Sequence, residues 1–148
     1  MINSEYFDDD KAWFEKGISL VNLGKYKKAI ECYNKAIQIN PQNDKIWSAI
    51  GLSLDDLKKY EEAIECYNKA ISINPQNDKA WFAKGLSLDD LEKYEEAIGC
   101  YDKAISINPN DDMVWSAKGI SLDHLGKYEE AIKCYNQAIQ INPQNDKT

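Results

Sequence analysis

The residues that could do chemistry are few. Cys32, Cys66, Cys100 and Cys134 could bind zinc or form disulfides, His124 could move a proton, and the paired acids Asp55-Asp56 and Asp89-Asp90 could hold a metal. Zinc sites use close pairs such as C-x2-C with His or further pairs, whereas these cysteines stand 34 residues apart. Each would sit alone on its own helix. Stacked helices lie about 8–10 Å apart, and a disulfide needs Cα atoms within about 7 Å. Four free, half-buried structural thiols fit best, and they fit a reducing compartment. His124 is the single histidine; with no positioned Ser or Cys nucleophile it reads as a solvated helix side chain. The paired acids lack calcium-loop spacing, and adjacent helical residues diverge by about 100°. The glycines are single and periodic, so no phosphate-cradling loop is present. The reading assigns no catalytic residue, no cofactor and no metal: the chain is not expected to be an enzyme.

Charge narrows the partner class. The net charge is −7, and all 18 basic residues are lysines. Nucleic acids are held mainly by positive charge at phosphates, with arginine forks the favoured device, so they are excluded as partners. An anionic membrane surface is disfavoured for the same reason. No apolar run approaches the ~20 residues of a membrane helix. The acidic first segment, Met1 to Asp10, lacks the charged-then-apolar pattern of an export signal. A cytoplasmic location is the default.

What would position these side chains is a repeat. Trp13, Trp47, Trp81 and Trp115 are 34 residues apart, and so are Gly17, Gly51, Gly85 and Gly119. The same period links Tyr26, Tyr60, Tyr94 and Tyr128, then Tyr33, Tyr67, Tyr101 and Tyr135, then Pro41, Pro75, Pro109 and Pro143. Such self-similarity marks a repeat architecture. Counting position 1 as the Asp three residues before each Trp, the repeats are 10–43, 44–77, 78–111 and 112–145, after an N-terminal segment 1–9. Residues 146–148 look like the start of an absent fifth repeat.

Each repeat reads as two helices. In the second, Trp47, Gly51, Leu54 and Leu57 share one helical face, and a break follows at Lys58-Lys59. Then Tyr60, Ala63, Ile64, Tyr67, Ala70 and Ile71 form a second apolar stripe. Asn74-Pro75 stops that helix, and Asn77 or Asp78 can cap the next. A mid-helix glycine costs about 1 kcal/mol against alanine. Gly51 and its equivalents are expected to offset this by letting a tyrosine approach the backbone. The tryptophans are expected in the core.

The pattern W-x3-G-x2-L, then Y-x2-A-I-x2-Y-x2-A-I and a closing N-P, stands four times in register. It resembles the tetratricopeptide-repeat family, over 136 of the 148 residues. The resemblance implies an all-α fold, a right-handed superhelical solenoid of antiparallel helix pairs. The first helix of each pair would line a concave groove, and the groove would bind a partner protein or peptide.

Family geometry then assigns the groove to positions 2, 5, 6, 9, 12 and 13. Position 2 carries Lys11, Lys45, Lys79 and Met113; position 5 carries Phe14, Ser48, Phe82 and Ser116. Position 6 is Glu15, then Ala49, Ala83 and Ala117, and position 9 is Ile18, Leu52, Leu86 and Ile120. Position 12 is Val21, Asp55, Asp89 and Asp123, and position 13 is Asn22, Asp56, Asp90 and His124. The implied groove has an apolar floor, an acidic stripe on one side and lysines on the other. One family branch grips the C-terminal carboxylate of heat-shock chaperones with Asn at position 9 and basic residues at positions 5 and 6; this chain departs at all three. The acidic stripe falls in the last helical turn, where the macrodipole disfavours anions by about 0.3–1 kcal/mol each. Two readings stay open: compensation by Lys59, Lys93, Lys127 or a position-2 lysine, or a stripe that contacts a ligand. A binding stripe would favour a partner with basic and apolar residues.

The ends suggest a second role. The last helix, from about Tyr128 to Ile141, would expose apolar surface, and Ile2, Tyr6 and Phe7 would either cap the first helix or insert into a neighbour. Self-association through the C-terminal repeat face, head to tail, is the alternative to groove binding.

Overall fold

The computed structural model describes residues 9–143, which form eight helices and no strand. Ile2, Tyr6 and Phe7, and Asp146, Lys147 and Thr148, lie outside the described residues. The chain divides into two compact units, Met1–Pro75 and Gln76–Thr148. The first contains α1 (Asp10–Asn22), α2 (Tyr26–Ile39), α3 (Asp44–Asp56) and α4 (Tyr60–Ile73). The second contains α5 (Asp78–Asp90), α6 (Tyr94–Ile107), α7 (Asp112–His124) and α8 (Tyr128–Ile141).

Local chemistry sets the helix ends. Asp9, Asn43, Asn77 and Asp111 cap α1, α3, α5 and α7 by accepting backbone N–H bonds from the first turn. Each of these helices is followed by one residue in the left-handed region: Gly24 (φ 75°), Lys58 (φ 62°), Glu92 (φ 60°) and Gly126 (φ 76°). Glycine occupies that conformation without cost, whereas a lysine or glutamate is strained there. At the end of the second helix the asparagine reaches back: Asn40 Nδ2 donates to Asp10 Oδ2 at 3.2 Å, and Asn74 Nδ2 to Asp44 Oδ2 at 3.1 Å. Asn108 and Asn142 do the same to Asp78 and Asp112. These bonds latch the last residues of a repeat to the first helix of the same repeat.

In the first unit, α1 packs on α2, α2 on α3, and α3 on α4; in the second, α5 packs on α6, α6 on α7, and α7 on α8. The closest approach is at the glycines. A Cβ placed on Gly17, Gly51, Gly85 or Gly119 would lie 2.3–2.5 Å from Tyr33, Tyr67, Tyr101 or Tyr135. Any larger side chain would displace a tyrosine ring, and Tyr67 and Tyr101 are fully buried. Alanines of the second helices, including Ala29, Ala63, Ala97 and Ala131, complete the tight contact.

The tryptophans correct the sequence reading. All four are half-buried, not core. Trp47 Nε1 donates to the Pro41 carbonyl at 3.0 Å, and Trp115 Nε1 to the Pro109 carbonyl at 2.9 Å. Lysines cover their outer faces: Lys35 lies 5.5 Å from the Trp13 ring and Lys118 lies 5.8 Å from Trp115. The indole N–H needs an acceptor, so the ring sits at the inter-repeat loop, with one edge at the surface.

Candidate functional site

In the first unit the candidate face belongs to α1 and α3. Lys11 and Lys45 are exposed in the first turns, and Phe14 is half-buried. The Phe14 ring tilts against Tyr33 with centroids 5.6 Å apart, which roofs the Gly17–Tyr33 contact. Ile18 is half-buried, whereas Leu52, one repeat on, is 54% exposed. Ser48 is half-buried, and its Oγ is buried without a hydrogen-bond partner.

In the second unit the face belongs to α5 and α7, which touch. Lys79 is exposed, and Phe82 tilts against Tyr101 with centroids 5.9 Å apart. Ser116 is half-buried. Leu86 is 41% exposed, Ile120 50%, and Met113, which replaces the lysine of the other repeats, 63%. Helices bury such side chains unless something else covers them, so these residues are the unusual feature of the face.

The acidic positions separate into two kinds. Asp55, Asp89 and Asp123 are half-buried, and their Oδ2 atoms accept hydrogen bonds from tyrosine hydroxyls. Tyr67 donates to Asp55 at 2.5 Å, Tyr135 to Asp123 at 2.6 Å, and Tyr101 to Asp89. The second oxygen of Asp89 accepts from Ser121 Oγ at 2.7 Å. One carboxylate thus joins both helices of its own repeat to the first helix of the next. Burial first, and then this bond to a carboxylate, pushes the phenol of Tyr135 up to about 12 and those of Tyr67 and Tyr101 further in the same direction. The tyrosines therefore supply compensation that the sequence reading sought from lysines. Asp56 and Asp90, by contrast, are exposed, and desolvation together with neighbouring Asp89 raises the carboxyl of Asp90.

The first repeat interrupts this arrangement. Val21 stands where the later repeats have Asp, so Tyr33 faces no carboxylate there, and Ser53 Oγ is buried with no partner. Sequence reading missed the tyrosine–aspartate bond. Its signal was a fixed separation of 12 residues across the inter-helix turn, repeated three times.

His124 is exposed, but its ring stacks on Tyr94 at 4.5 Å with planes 5° apart. The cysteines are free; Cys32, Cys100 and Cys134 are buried and Cys66 is half-buried. Burial, followed by nearby glutamates, raises the Cys66 thiol to about 11, and burial raises Cys100 and Cys134 as well. A thiol held protonated is a poor nucleophile and metal ligand. Among the described residues, no group of three or more His, Cys, Asp or Glu is placed to hold a metal ion. No helix among them is long and apolar enough to cross a membrane.

These helix pairs, glycine–tyrosine contacts and asparagine latches define a class. The family model of the tetratricopeptide repeat matches residues 10–43, 45–77, 78–111 and 113–145, and the chain belongs to that family. The fold is also similar to a crystal structure of MamA, with a TM-score of 0.87 at 22% identity over 95% of this chain and 82% of that one. A structure of MamA MSR-1 aligns at TM-score 0.79 and 27% identity, over 97% of this chain and 82% of that chain. One of MamA AMB-1 aligns at TM-score 0.76 and 27% identity, over 95% and 82%. A comparison with curated proteins finds no match. Tetratricopeptide repeats are protein-interaction repeats, and the chain is a protein-interaction scaffold.

Proposed function

We propose that this scaffold binds a segment of a partner protein on the first-helix face, with apolar anchors against Leu52 in the first unit and Leu86 and Ile120 in the second. The outward row of these apolar side chains is the observation that carries the reading. Lys11, Lys45 and Lys79 border the face, and Asp56 and Asp90 stand exposed beside it. Asp55, Asp89 and Asp123 already bond tyrosines, so the charge available to a partner centres on Asp56 and Asp90. A segment with one or two apolar side chains and a nearby Lys or Arg is complementary, as an extended peptide or as a helix in a groove. The role is binding, without catalysis. Four free thiols suit a reducing compartment, and a cytoplasmic location is part of the proposal.

The test is an array of short basic and apolar peptides, with binding measured for the wild type, for Leu52→Glu/Leu86→Glu and for Asp56→Asn/Asp90→Asn. The leucine pair should lose binding at least tenfold, since each change places a charge against an apolar anchor. The asparagine pair should weaken lysine- and arginine-bearing hits and leave neutral hits alone. Unchanged affinity in the leucine variant would place binding elsewhere on the molecule.

A further inference from the structure

The contact between α6 and α7 is a template for a contact that the chain offers at its last helix. In α7, Val114 and Ser121 are buried, and Lys118 Nζ reaches Asp102 on α6 at 2.7 Å. Ser121 donates to Asp89, whose other oxygen is held by Tyr101. On the α6 side, Ile98 packs against the cluster of Leu122, Ala131 and Cys134, and Tyr101 is fully buried. One repeat later the same face of α8 is open. Ile132 is 56% exposed, Ile139 41% and Tyr128 63%, and Tyr135 is half-buried. Asp123 takes the place of Asp89: its Oδ2 accepts from Tyr135, and its Oδ1 corresponds to the oxygen that Asp89 gives to Ser121.

The helix that fits this face is present in the same chain. α1 carries Ala12, Lys16 and Ser19 at the positions of Val114, Lys118 and Ser121, and all three are exposed. Its sequence, Asp10-Lys11-Ala12-Trp13-Phe14 followed by Lys16-Gly17 and Ser19-Leu20, nearly repeats that of α5, in which Ala80 and Ser87 are fully buried. Thus α1 holds the residues of a docking helix with their docking side exposed.

We propose that α1 of one copy docks on the open face of α7 and α8 of a second copy, joining copies head to tail. Ser19 Oγ donates to Asp123 Oδ1, as Ser121 does to Asp89, and Ile132 and Ile139 are covered by Ala12 and Leu20. Lys16 meets Asn136 where Lys118 meets Asp102, so a neutral acceptor replaces a charged one and the junction is weaker than the internal one. The two faces differ, so the contact is heterologous and need not close into a ring. This assembly is independent of the first-helix face and its peptide.

Sedimentation velocity over a wide concentration range tests the proposal with the full chain, Ile132→Lys and Ser19→Glu. Both substitutions are on exposed positions, and circular dichroism verifies the helices; Ile139→Lys replaces the first if helix is lost. The wild-type average mass should climb with concentration past that of a dimer. Each variant alone should remain a monomer, because the lysine blocks α8 and the glutamate repels Asp123. An equal mixture should form a dimer and stop there, since one intact face of each kind remains. A wild type that stays monomeric, or that halts at a dimer, overturns the proposal. So does either variant that assembles like the wild type, or a mixture that remains monomeric.

Discussion

Val21→Asp should stabilise the protein. The substitution supplies the first repeat with the acceptor that Asp55, Asp89 and Asp123 supply in the others. Ser53 Oγ, buried without a partner, gains one, and Tyr33 gains a carboxylate opposite its hydroxyl. A buried unsatisfied hydroxyl costs about 1–3 kcal/mol, and a hydrogen bond to a charged group contributes about 1.5–3 kcal/mol. Against this stand the half-buried apolar contact of Val21, about 1 kcal/mol, and partial desolvation of a new carboxylate, about 1 kcal/mol after relaxation beside its donors. The balance favours the aspartate by about 1–2 kcal/mol, a rise in Tm of roughly 2–8 °C. Thermal unfolding followed at 222 nm measures it, and a double-mutant cycle with Ser53→Ala locates the cause. In the wild type, Ser53→Ala removes an orphan and should be neutral or slightly stabilising. In the Val21→Asp background it should cost about 1–2 kcal/mol, because a made bond is lost. A lower Tm for Val21→Asp, or a cycle with no coupling between the two sites, would refute the assignment of these carboxylates as inter-repeat connectors.

Two further predictions follow from the turns and the phenols. Lys58→Gly and Glu92→Gly should each raise stability by about 0.5–1 kcal/mol, since relief of left-handed strain exceeds the entropy that glycine adds to the unfolded chain; a fall in the urea midpoint for both would show that φ at these turns is not the controlling strain. Stability should also decline as pH rises above about 10, the ordinary tyrosine value. The unfolded chain then releases phenolic protons that folded Tyr67, Tyr101 and Tyr135 retain, so the unfolded state binds fewer protons and gains. The stabilising effect is complete below pH 10 and is lost through the folded value, about 12 for Tyr135. Urea midpoints measured from pH 8 upward should be flat and then fall, and Tyr67→Phe should flatten the decline.

Much of the fold was legible because a repeat states its own packing rules several times. Gly51 beside Tyr67, the stop at Asn74-Pro75 and the free thiols could all be read from residue type and period. Periodicity reports which side of a helix is apolar, and the backbone needs of glycine and proline are local. The tryptophans were misread because an aromatic residue at helical spacing looks the same whether it fills a core or spans loop and surface.

The amino-acid sequence alone determined the two-helix unit, its fourfold recurrence and the family, since these depend on local propensity and period. It also determined which positions could line a face. Only the tertiary structure decided which carboxylates are already engaged. Asp55 and Asp56 are adjacent and chemically identical, yet one bonds Tyr67 and the other stands exposed. The difference arises from a rotation of about 100° along a helix and from what the antiparallel partner places opposite. The same holds for Ile98 and Ile132, equal in sequence, where the presence or absence of a following helix decides between packing and exposure.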